Sequence, residues 1–529
     1  AFGSLISDPP PGALAYDGHL VSIIIVSLNI FIALSNAARF PHNRRLDVTL
    51  RTLWPHIVRW SAVLHPARGR LIRAPGPGDA RRNVTAVVQA YLSILQSPDI
   101  AYLKPFLHGN PDAVTQTFEL WLRLPNYCSK SAIQEASRTV DGVITLFVIL
   151  ENTLLADYAT TDDRAFFKNE LFLTIGHPRT LYRAISRQTL FLAKLTTEST
   201  LVRARWSEHF SLLTRCIFVC VPRCPQPPAV PRKVIFSTVS AAMLCVKIQA
   251  PGDAALCALG LLTCLCRAVA SNRPLAHAVD AGVFDLLLNL GHPQSETRHV
   301  TEFIQQLSAG LFHPRVSRVF NRRHPNVPHV APSPARCEPD HIPDWQDVAL
   351  LWSSFLKPYM ETYDSRSADS LKVSWRYTTA CLSPCGPHNQ LVRVCPCGTS
   401  FYCSGSCQRM HRPIHREFCY ADQGPWGLNG AITLDDAMFI YMIARGYISF
   451  QRKTIAVQIA AMARSHPDAQ ISILIDLVDV LPVPRHTIHA YSKDMMIPVH
   501  GKIMVEALLR LGAARQRHPL PFGYAIKYF

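Results

Sequence analysis

Residues 381–419 constrain the fold of this 529-residue chain more than any other stretch. They hold seven of its 16 cysteines, arranged with one histidine as four close pairs: Cys381/Cys385, Cys395/Cys397, Cys403/Cys407 and His415/Cys419. Eight sulfur and imidazole donors satisfy two tetrahedral zinc ions with four protein ligands each. So short a segment cannot bury enough apolar surface to fold alone, and metal binding would supply the missing free energy. The pattern therefore predicts two structural zinc ions.

The second half of this segment has a specific order of residues. Tyr402, Cys403 and Ser404 are followed by Cys407 and Gln408, and His415 and Cys419 lie eight and twelve positions past Cys407. In this order the segment resembles the MYND-type zinc finger. The resemblance implies interleaved sites, the first zinc bound by Cys381, Cys385, Cys403 and Cys407, and the second by Cys395, Cys397, His415 and Cys419. On sequence distance alone, a sequential pairing of the same ligands is also possible.

The segment departs from the family pattern at three places. Three residues separate Cys381 from Cys385 and one separates Cys395 from Cys397, where the family has two in each gap. Arg412 replaces the family's usual tryptophan, which together with a glutamine lines a groove for short proline-containing peptides. Gln408 is retained. The resemblance implies a protein or proline-containing peptide partner, although Arg412 does not preserve the apolar wall of that groove.

One further histidine competes as a ligand of the second zinc. Cys407, His411 and His415 are spaced by four residues and would share one face of a continuous helix, whereas Pro413 would break that helix. The family pattern favours His415 over His411. Because protein donors fill all eight positions, no coordination site remains for water, and we expect a structural rather than a catalytic metal centre.

Residues 1–311 read as one helix after another, with apolar side chains at three- and four-residue spacing and short breaks at Pro, Gly and Asn. Residues 171–178 (LFLTIGHP) echo residues 286–293 (LLLNLGHP), and each glycine is expected to cap a helix that the following proline stops. The second segment resembles the third helix of armadillo repeats. We therefore predict an irregular, armadillo-like α-solenoid, with a globular helical bundle as the alternative.

The other domain boundaries follow from changes in composition. Residues 312–343 are rich in Pro, Arg and His and are predicted to be a linker or exposed loop, and residues 344–380 contain a connecting helix. Residues 430–529 are predicted to form a small α/β domain with a strand at 470–481, an amphipathic helix at 502–514 and a closing strand or tail at 522–529. The predicted fold is mainly α: a solenoid, a two-zinc finger and this α/β domain.

Cysteine usage and one apolar run bear on the compartment. The cysteines outside the finger lie mostly in apolar helical stretches. Cys216, Cys220 and Cys224 are spaced by four residues but lack a fourth nearby ligand, so we expect them in the core and not in a third metal site. Unpaired thiols beside a zinc cluster favour an intracellular location, nuclear or cytoplasmic. Residues 21–34 are apolar but shorter than the roughly 20 residues of a spanning helix, so we expect a buried core helix and no membrane span.

Three classes of function are compatible with these features. The first is a zinc-binding adaptor for protein interactions, with a role in transcriptional regulation implied by the family. The second is a nucleic-acid-binding protein that uses a basic helical surface, because the formal net charge is +17. The third is an enzyme with its site in the C-terminal domain. The sequence contains no phosphate loop, dinucleotide fingerprint, nucleophile elbow or SET methyltransferase motif, so we expect no enzymatic activity.

Overall fold

A computed structural model describes residues 9, 17–39, 44–68, 77–97, 100–128, 133–225, 227–251, 253–290, 298–327, 330, 343–364, 381, 383, 393–395, 401–416, 434–479, 484–491 and 502–525. The described part of the chain is mainly helical, with a small finger and a small C-terminal sheet. It divides into two compact units, Ala1–Cys264 and Leu265–Phe529.

All the secondary-structure elements in the described part of the first unit are helices. Its helices are α1 (Gly18–Arg39), α2 (Arg44–Leu64), α3 (Pro77–Leu95), α4 (Ile100–His108), α5 (Pro111–Leu122), α6 (Leu124–Cys128), α7 (Ile133–Leu155), α8 (Thr161–Ile175), α9 (Pro178–Thr196), α10 (Thr200–Ala204), α11 (Trp206–Cys220), α12 (Arg232–Lys247) and α13 (Ala254–Arg267), the last of which runs three residues past the boundary. The proline-rich residues 222–231 form the predicted break, between α11 and α12.

The core of the first unit is built from aromatic side chains of helices that are close in sequence. Trp54 of α2 is buried against Phe31 of α1, Tyr91 of α3 and Phe106 of α4, and its indole nitrogen donates to the Phe106 carbonyl oxygen at 3.1 Å. The principal packing partners of each helix in this unit lie within four helices along the chain. Such local packing is typical of extended helical arrays, and the armadillo-like arrangement stays a prediction.

Helix α1 is longer than the sequence pattern indicates. It spans Gly18–Arg39, so the helix includes polar residues on both sides of the apolar residues 21–34. Val21, Ile24 and Leu28 are buried at helical spacing, whereas Val26 and Ile30 are 49% and 39% exposed. By length and composition α1 could cross a membrane, and it is the one described helix that could. Core helices of soluble proteins meet the same criterion, so this is weak evidence for a span.

The first of the two echoing segments forms a tight connection between helices. Gly176 ends α8 with φ 70°, and its N–H donates to the Phe172 carbonyl oxygen at 2.8 Å. The positive φ is the left-handed conformation that glycine adopts without a steric penalty. Pro178 does not stop α8 as predicted; it is the first residue of α9, where its missing N–H costs no hydrogen bond. The matching Gly291 to Pro293 lie outside the described residues.

The second unit begins with four helices, the third of which packs against the C-terminal sheet. They are α14 (Arg273–Asp280), α15 (Val283–Leu290), α16 (Arg298–Leu311) and α17 (Pro314–Arg323). The prediction of a linker over 312–343 is wrong for α17, whose Val316, Ser317 and Phe320 are buried although four of its ten residues are arginine. The connecting helix is present as α18 (Trp345–Leu351), a π-helical turn (Trp352–Leu356) and α19 (Lys357–Asp364).

The C-terminal domain contains two helices and a four-stranded sheet, which confirms a small α/β region. Its elements follow those of the finger, which are β1 (Arg393–Val394), β2 (Phe401–Tyr402) and α20 (Gly405–His415). They are α21 (Leu434–Phe450), α22 (Arg452–Ser465), β3 (Gln470–Asp476), β4 (Arg485–Tyr491), β5 (Lys502–Leu511) and β6 (Ala514–Ala525). The strand order is β4-β3-β5-β6, with β3 and β5 parallel and the outer pairs antiparallel. The predicted strand at 470–481 ends earlier, at Asp476.

The prediction of a helix over residues 502–514 is wrong. These residues form the central strand β5, paired with β3 on one side and β6 on the other. Ile503, Val505 and Ala507 are buried on one face, and Glu506 is buried on the opposite face, where its carboxylate accepts a hydrogen bond from the Ser472 hydroxyl at 2.9 Å. The closing strand β6 begins at Ala514, earlier than the predicted residue 522. A strand buried on both faces loses the alternation that would identify it, and its Leu, Ala and Glu favour helix locally.

Candidate metal centre

A short hairpin and a helix position the ligands of the finger. Strands β1 (Arg393–Val394) and β2 (Phe401–Tyr402) pair antiparallel, and α20 (Gly405–His415) follows directly. Ser404 starts the helix, because its hydroxyl accepts a hydrogen bond from the Cys407 N–H at 3.1 Å. Cys395 therefore directly follows β1, Cys403 lies between β2 and α20, and Cys407 and His415 lie on the helix.

The first group of candidate ligands consists of three cysteine sulfurs. The Sγ atoms of Cys381, Cys403 and Cys407 all lie within 4.8 Å of one another, and Cys403 and Cys407 are buried with their sulfurs 3.4 Å apart. Sulfurs around a tetrahedral zinc at about 2.3 Å are separated by about 3.8 Å. The spacing therefore fits a shared metal ion. The fourth predicted ligand, Cys385, lies outside the described residues.

The second group brings together one sulfur and one imidazole. Cys395 Sγ lies 3.3 Å from His415 Nε2, and both residues are buried. Sulfur and nitrogen ligands of one tetrahedral zinc are separated by about 3.6 Å, so these two atoms also fit a common ion. The remaining predicted ligands of this site, Cys397 and Cys419, lie outside the described residues.

The two groups combine ligands that are distant in sequence. Cys381 lies with Cys403 and Cys407, and Cys395 lies with His415. A sequential pairing would require Cys381 and Cys395 to share one ion and Cys403 and His415 to share the other. The described atoms are grouped instead as in the interleaved pattern.

Comparison with known proteins agrees with this geometry. Residues 381–419 match the MYND finger family. The match covers the finger and no other part of the chain. Neither the curated proteins nor the solved structures contain a significant match to this chain. This MYND finger is a zinc-binding domain of a protein-interaction class, and the match indicates no enzymatic family.

The histidine that competes with His415 has a different partner in the MYND finger. Helix α20 continues through Pro413, so Cys407, His411 and His415 do share its buried face, and the predicted break does not occur. His411 Nδ1 lies 3.0 Å from the hydroxyl of buried Tyr402. This hydrogen bond orients the His411 ring beside His415, with the ring centroids 6.4 Å apart. The sequence analysis missed this role of Tyr402, for which the only signal is its position beside Cys403.

The ionisation of the ligand side chains is controlled by their crowding and burial. Burial, together with the hydrogen bonds that the Cys403 thiol makes to the sulfurs of Cys407 and Cys381, raises the pKa of Cys403 to about 12. The Ser404 hydroxyl lowers the pKa of Cys407. Clustered thiolates repel one another, and a divalent cation reverses this by stabilising each deprotonated sulfur. Burial also lowers the pKa of His415, which keeps its imidazole in the neutral form that binds metal.

Helix α20 exposes polar side chains on one side of its buried face and apolar side chains on the other. Gln408 and Arg412 are exposed one turn apart, and the Gln408 amide nitrogen lies 3.9 Å from Cys395 Sγ. On the other side of the buried stripe, Met410 and Ile414 are 52% and 54% exposed, also one turn apart. Arg409 is exposed as well, and its guanidinium donates to the Gly405 carbonyl oxygen at 3.3 Å. The helix thus presents amide, basic and apolar side chains to solvent.

Other candidates for metal or acid chemistry have structural roles. Among the described residues, no second cluster of three metal-binding side chains occurs, and Cys216 and Cys220 are buried thiols with raised pKa values, about 12 for Cys220. Asp476 accepts from the backbone N–H groups of Val478 and Asp479, and Asp479 pairs with Arg515 at 2.9 Å. These carboxylates stabilise the end of β3 and the sheet edge, so no acid pair is assembled there.

Proposed function

We propose that this chain is an intracellular protein-interaction adaptor whose MYND finger is held by two structural zinc ions. Cys381, Cys385, Cys403 and Cys407 would bind one ion, and Cys395, Cys397, His415 and Cys419 the other. The observation that carries the proposal is the pair of ligand groups, each of which combines a residue of α20 with residues that precede the helix in the chain. Zinc at these positions would fix β2 and α20 relative to each other, because each ion would join segments that share little apolar core.

The partner proposed for the finger is a short proline-containing peptide that also carries an acidic residue. Gln408 is retained and exposed, so its amide is available to a peptide carbonyl. Arg412 stands one turn further along the helix, where the family has an apolar wall. A guanidinium recognises a carboxylate by charge-assisted hydrogen bonds, which favours an acidic side chain in the bound peptide. An extended proline-rich peptide loses little conformational entropy on binding.

A peptide-binding titration tests the proposed partner. Two fluorescent proline-rich peptides, identical except for one Glu or Gln, are titrated into the zinc-loaded full chain. We expect the acidic peptide to bind more tightly, and Arg412→Ala to weaken it about tenfold while leaving the Gln peptide unchanged. Arg409→Ala is the matched control, because it removes the same charge from the same helix. Failure of both peptides to bind, or equal losses in the two variants, would refute this partner.

We propose that the adaptor acts in transcriptional regulation and that it is located in the nucleus or the cytoplasm. Support comes from the family of the finger and from buried thiols such as those of Cys128, Cys216 and Cys245, which suit a reducing compartment. The net charge of +17 and the exposed arginines of α20 support nucleic-acid binding as the second candidate. Affinity for duplex DNA that falls steeply with salt, together with no peptide binding, would favour the second candidate.

A further inference from the structure

A groove between α14 and α17 in the second unit has no role in the finger. Its volume is about 360 Å³, at the small end of the roughly 300–1,000 Å³ typical of ligand pockets. It is lined by Arg273, Ala276, His277, Asp280, Arg315 and Val319. From its geometry and charge we infer that this groove binds a phosphate group.

The lining residues come from one face of each helix. On α14 they are spaced by three, four and seven residues from Arg273, and on α17 Arg315 and Val319 are one turn apart. At the far end, Arg322 of α17 pairs with Asp280 of α14 at 3.0 Å. Because the first residues of both helices line the groove and their last turns are joined by this ion pair, the two helices run parallel. Their positive dipole ends therefore lie at the same end of the groove.

The charge of the groove is unbalanced towards the positive. Arg273 and Arg315 are both exposed, and among the described residues neither guanidinium has an acidic partner. The one carboxylate in the lining, Asp280, is already paired with Arg322. His277 adds a half-buried imidazole one turn from Arg273. Two arginines that line one cavity can supply the forked donors that phosphate oxygens accept.

The helices that carry these arginines are held firmly. Pro274 and Pro314 fix the backbone of the first turns, and both are buried. The Asn272 amide donates to the Arg510 carbonyl oxygen at 3.1 Å, which ties the start of α14 to the sheet. Gly310 of α16 packs against Leu275, so close that a side chain there would overlap it. Because the backbone at both arginines is fixed, only their side chains lose conformational freedom when they bind an anion.

The floor of the groove determines which phosphate compounds it accommodates. Ala276 is buried and Val319 is half-buried, and both present apolar atoms next to the arginines. A phosphate ester could place its anionic group on the guanidiniums and its organic part on these side chains, whereas free phosphate would use the guanidiniums alone. A phosphate ester and free phosphate present the same anionic group, but only the ester would gain affinity from the apolar floor.

Calorimetric titration of the zinc-loaded full chain tests the inference, with inorganic phosphate and O-phosphoserine as the probes at constant ionic strength. We expect saturable binding at one site, weakened about tenfold or more in the Arg273→Gln/Arg315→Gln double variant. The control Arg183→Gln/Arg187→Gln removes the same charge from exposed positions on α9 and should bind as the unmodified protein does. Val319→Glu, which adds a carboxylate to the groove, should abolish binding while both arginines stay in place.

The titrations show both whether the groove binds phosphate and which kind of phosphate compound it prefers. Tighter binding of O-phosphoserine than of inorganic phosphate supports a phosphate ester as the ligand, and equal affinities support free phosphate. The absence of saturable binding of both probes to the unmodified chain would overturn the inference. So would equal loss in the groove variant and the control variant, because the binding would then reflect only the net charge.

Discussion

His209 in α11 provides a test of the core of the first unit. Its side chain is fully buried among aromatic rings, with centroid distances of 6.0 Å to Trp206 and 6.3 Å to Trp121. Neither ring nitrogen has a hydrogen-bond partner among the described residues. Burial lowers the pKa of His209 from 6.5 to about 3. The folded chain therefore holds this imidazole neutral at every pH at which the protein would be handled.

The lowered pKa gives the sign and size of a pH effect. Below pH 6.5 the unfolded chain binds a proton on His209 and the folded chain does not. The free energy of unfolding therefore decreases as the pH falls. Between pH 7.5 and 5.5 the loss amounts to about 1.4 kcal/mol of unfolding free energy. His209→Leu removes the titrating group at similar volume, so the pH dependence should become shallower by about that amount.

Urea unfolding at the two pH values, followed by tryptophan fluorescence, measures this difference. Burial also lowers the pKa of His65, to about 4, but that contribution is present in both proteins and cancels. His19→Leu is the control, because it removes an exposed imidazole from α1. If His209→Leu retained the full pH dependence of the unmodified protein, His209 would not be buried as a neutral side chain and this account of the core would be wrong.

Two further substitutions test other parts of the fold. Gly512→Ala should lower the midpoint of thermal unfolding by several degrees, about 2 kcal/mol, because Gly512 has φ 60° and a Cβ there would overlap the Val269 carbonyl oxygen; an unchanged midpoint would contradict this tight turn. Asp163→Asn should cost about 2 kcal/mol at pH 7, since Asp163 pairs with Lys104 and His108 at 2.6 and 2.7 Å. These contacts lower the pKa of Asp163, so the stability that its carboxylate contributes is present above pH 3.8 and is lost as the pH falls below that value. Equal urea midpoints for Asp163→Asn and the unmodified protein at pH 7 would contradict this contribution.

The parts of the fold that the sequence predicts well depend on local patterns. Helices such as α5, α9 and α11 lie in the stretch where apolar residues recur at helical spacing, as predicted for residues 1–311. The ligand pairs of the finger are equally local, since two donors one to three residues apart already specify a metal site. These features need no information about distant residues.

The errors occur where distant residues decide the structure. Residues Lys502–Leu511 favour helix by composition and become β5 because β3 and β6 supply its hydrogen bonds and both faces are buried. Residues Pro314–Arg323 look like a basic linker, and their burial against α14 and α16 makes them a helix. The contact between Tyr402 and His411 likewise depends on how β2 lies against α20.

The central claim is that the finger holds two metal ions in an interleaved arrangement. Cadmium-113 NMR of the full chain loaded with cadmium in place of zinc tests it most directly, because each bound ion gives its own resonance. We predict two resonances, one shifted by Cys403→Ser and the other by His415→Ala. A single resonance would contradict the two sites, and displacement of the same resonance by both substitutions would show that Cys403 and His415 share one ion, as in a sequential arrangement.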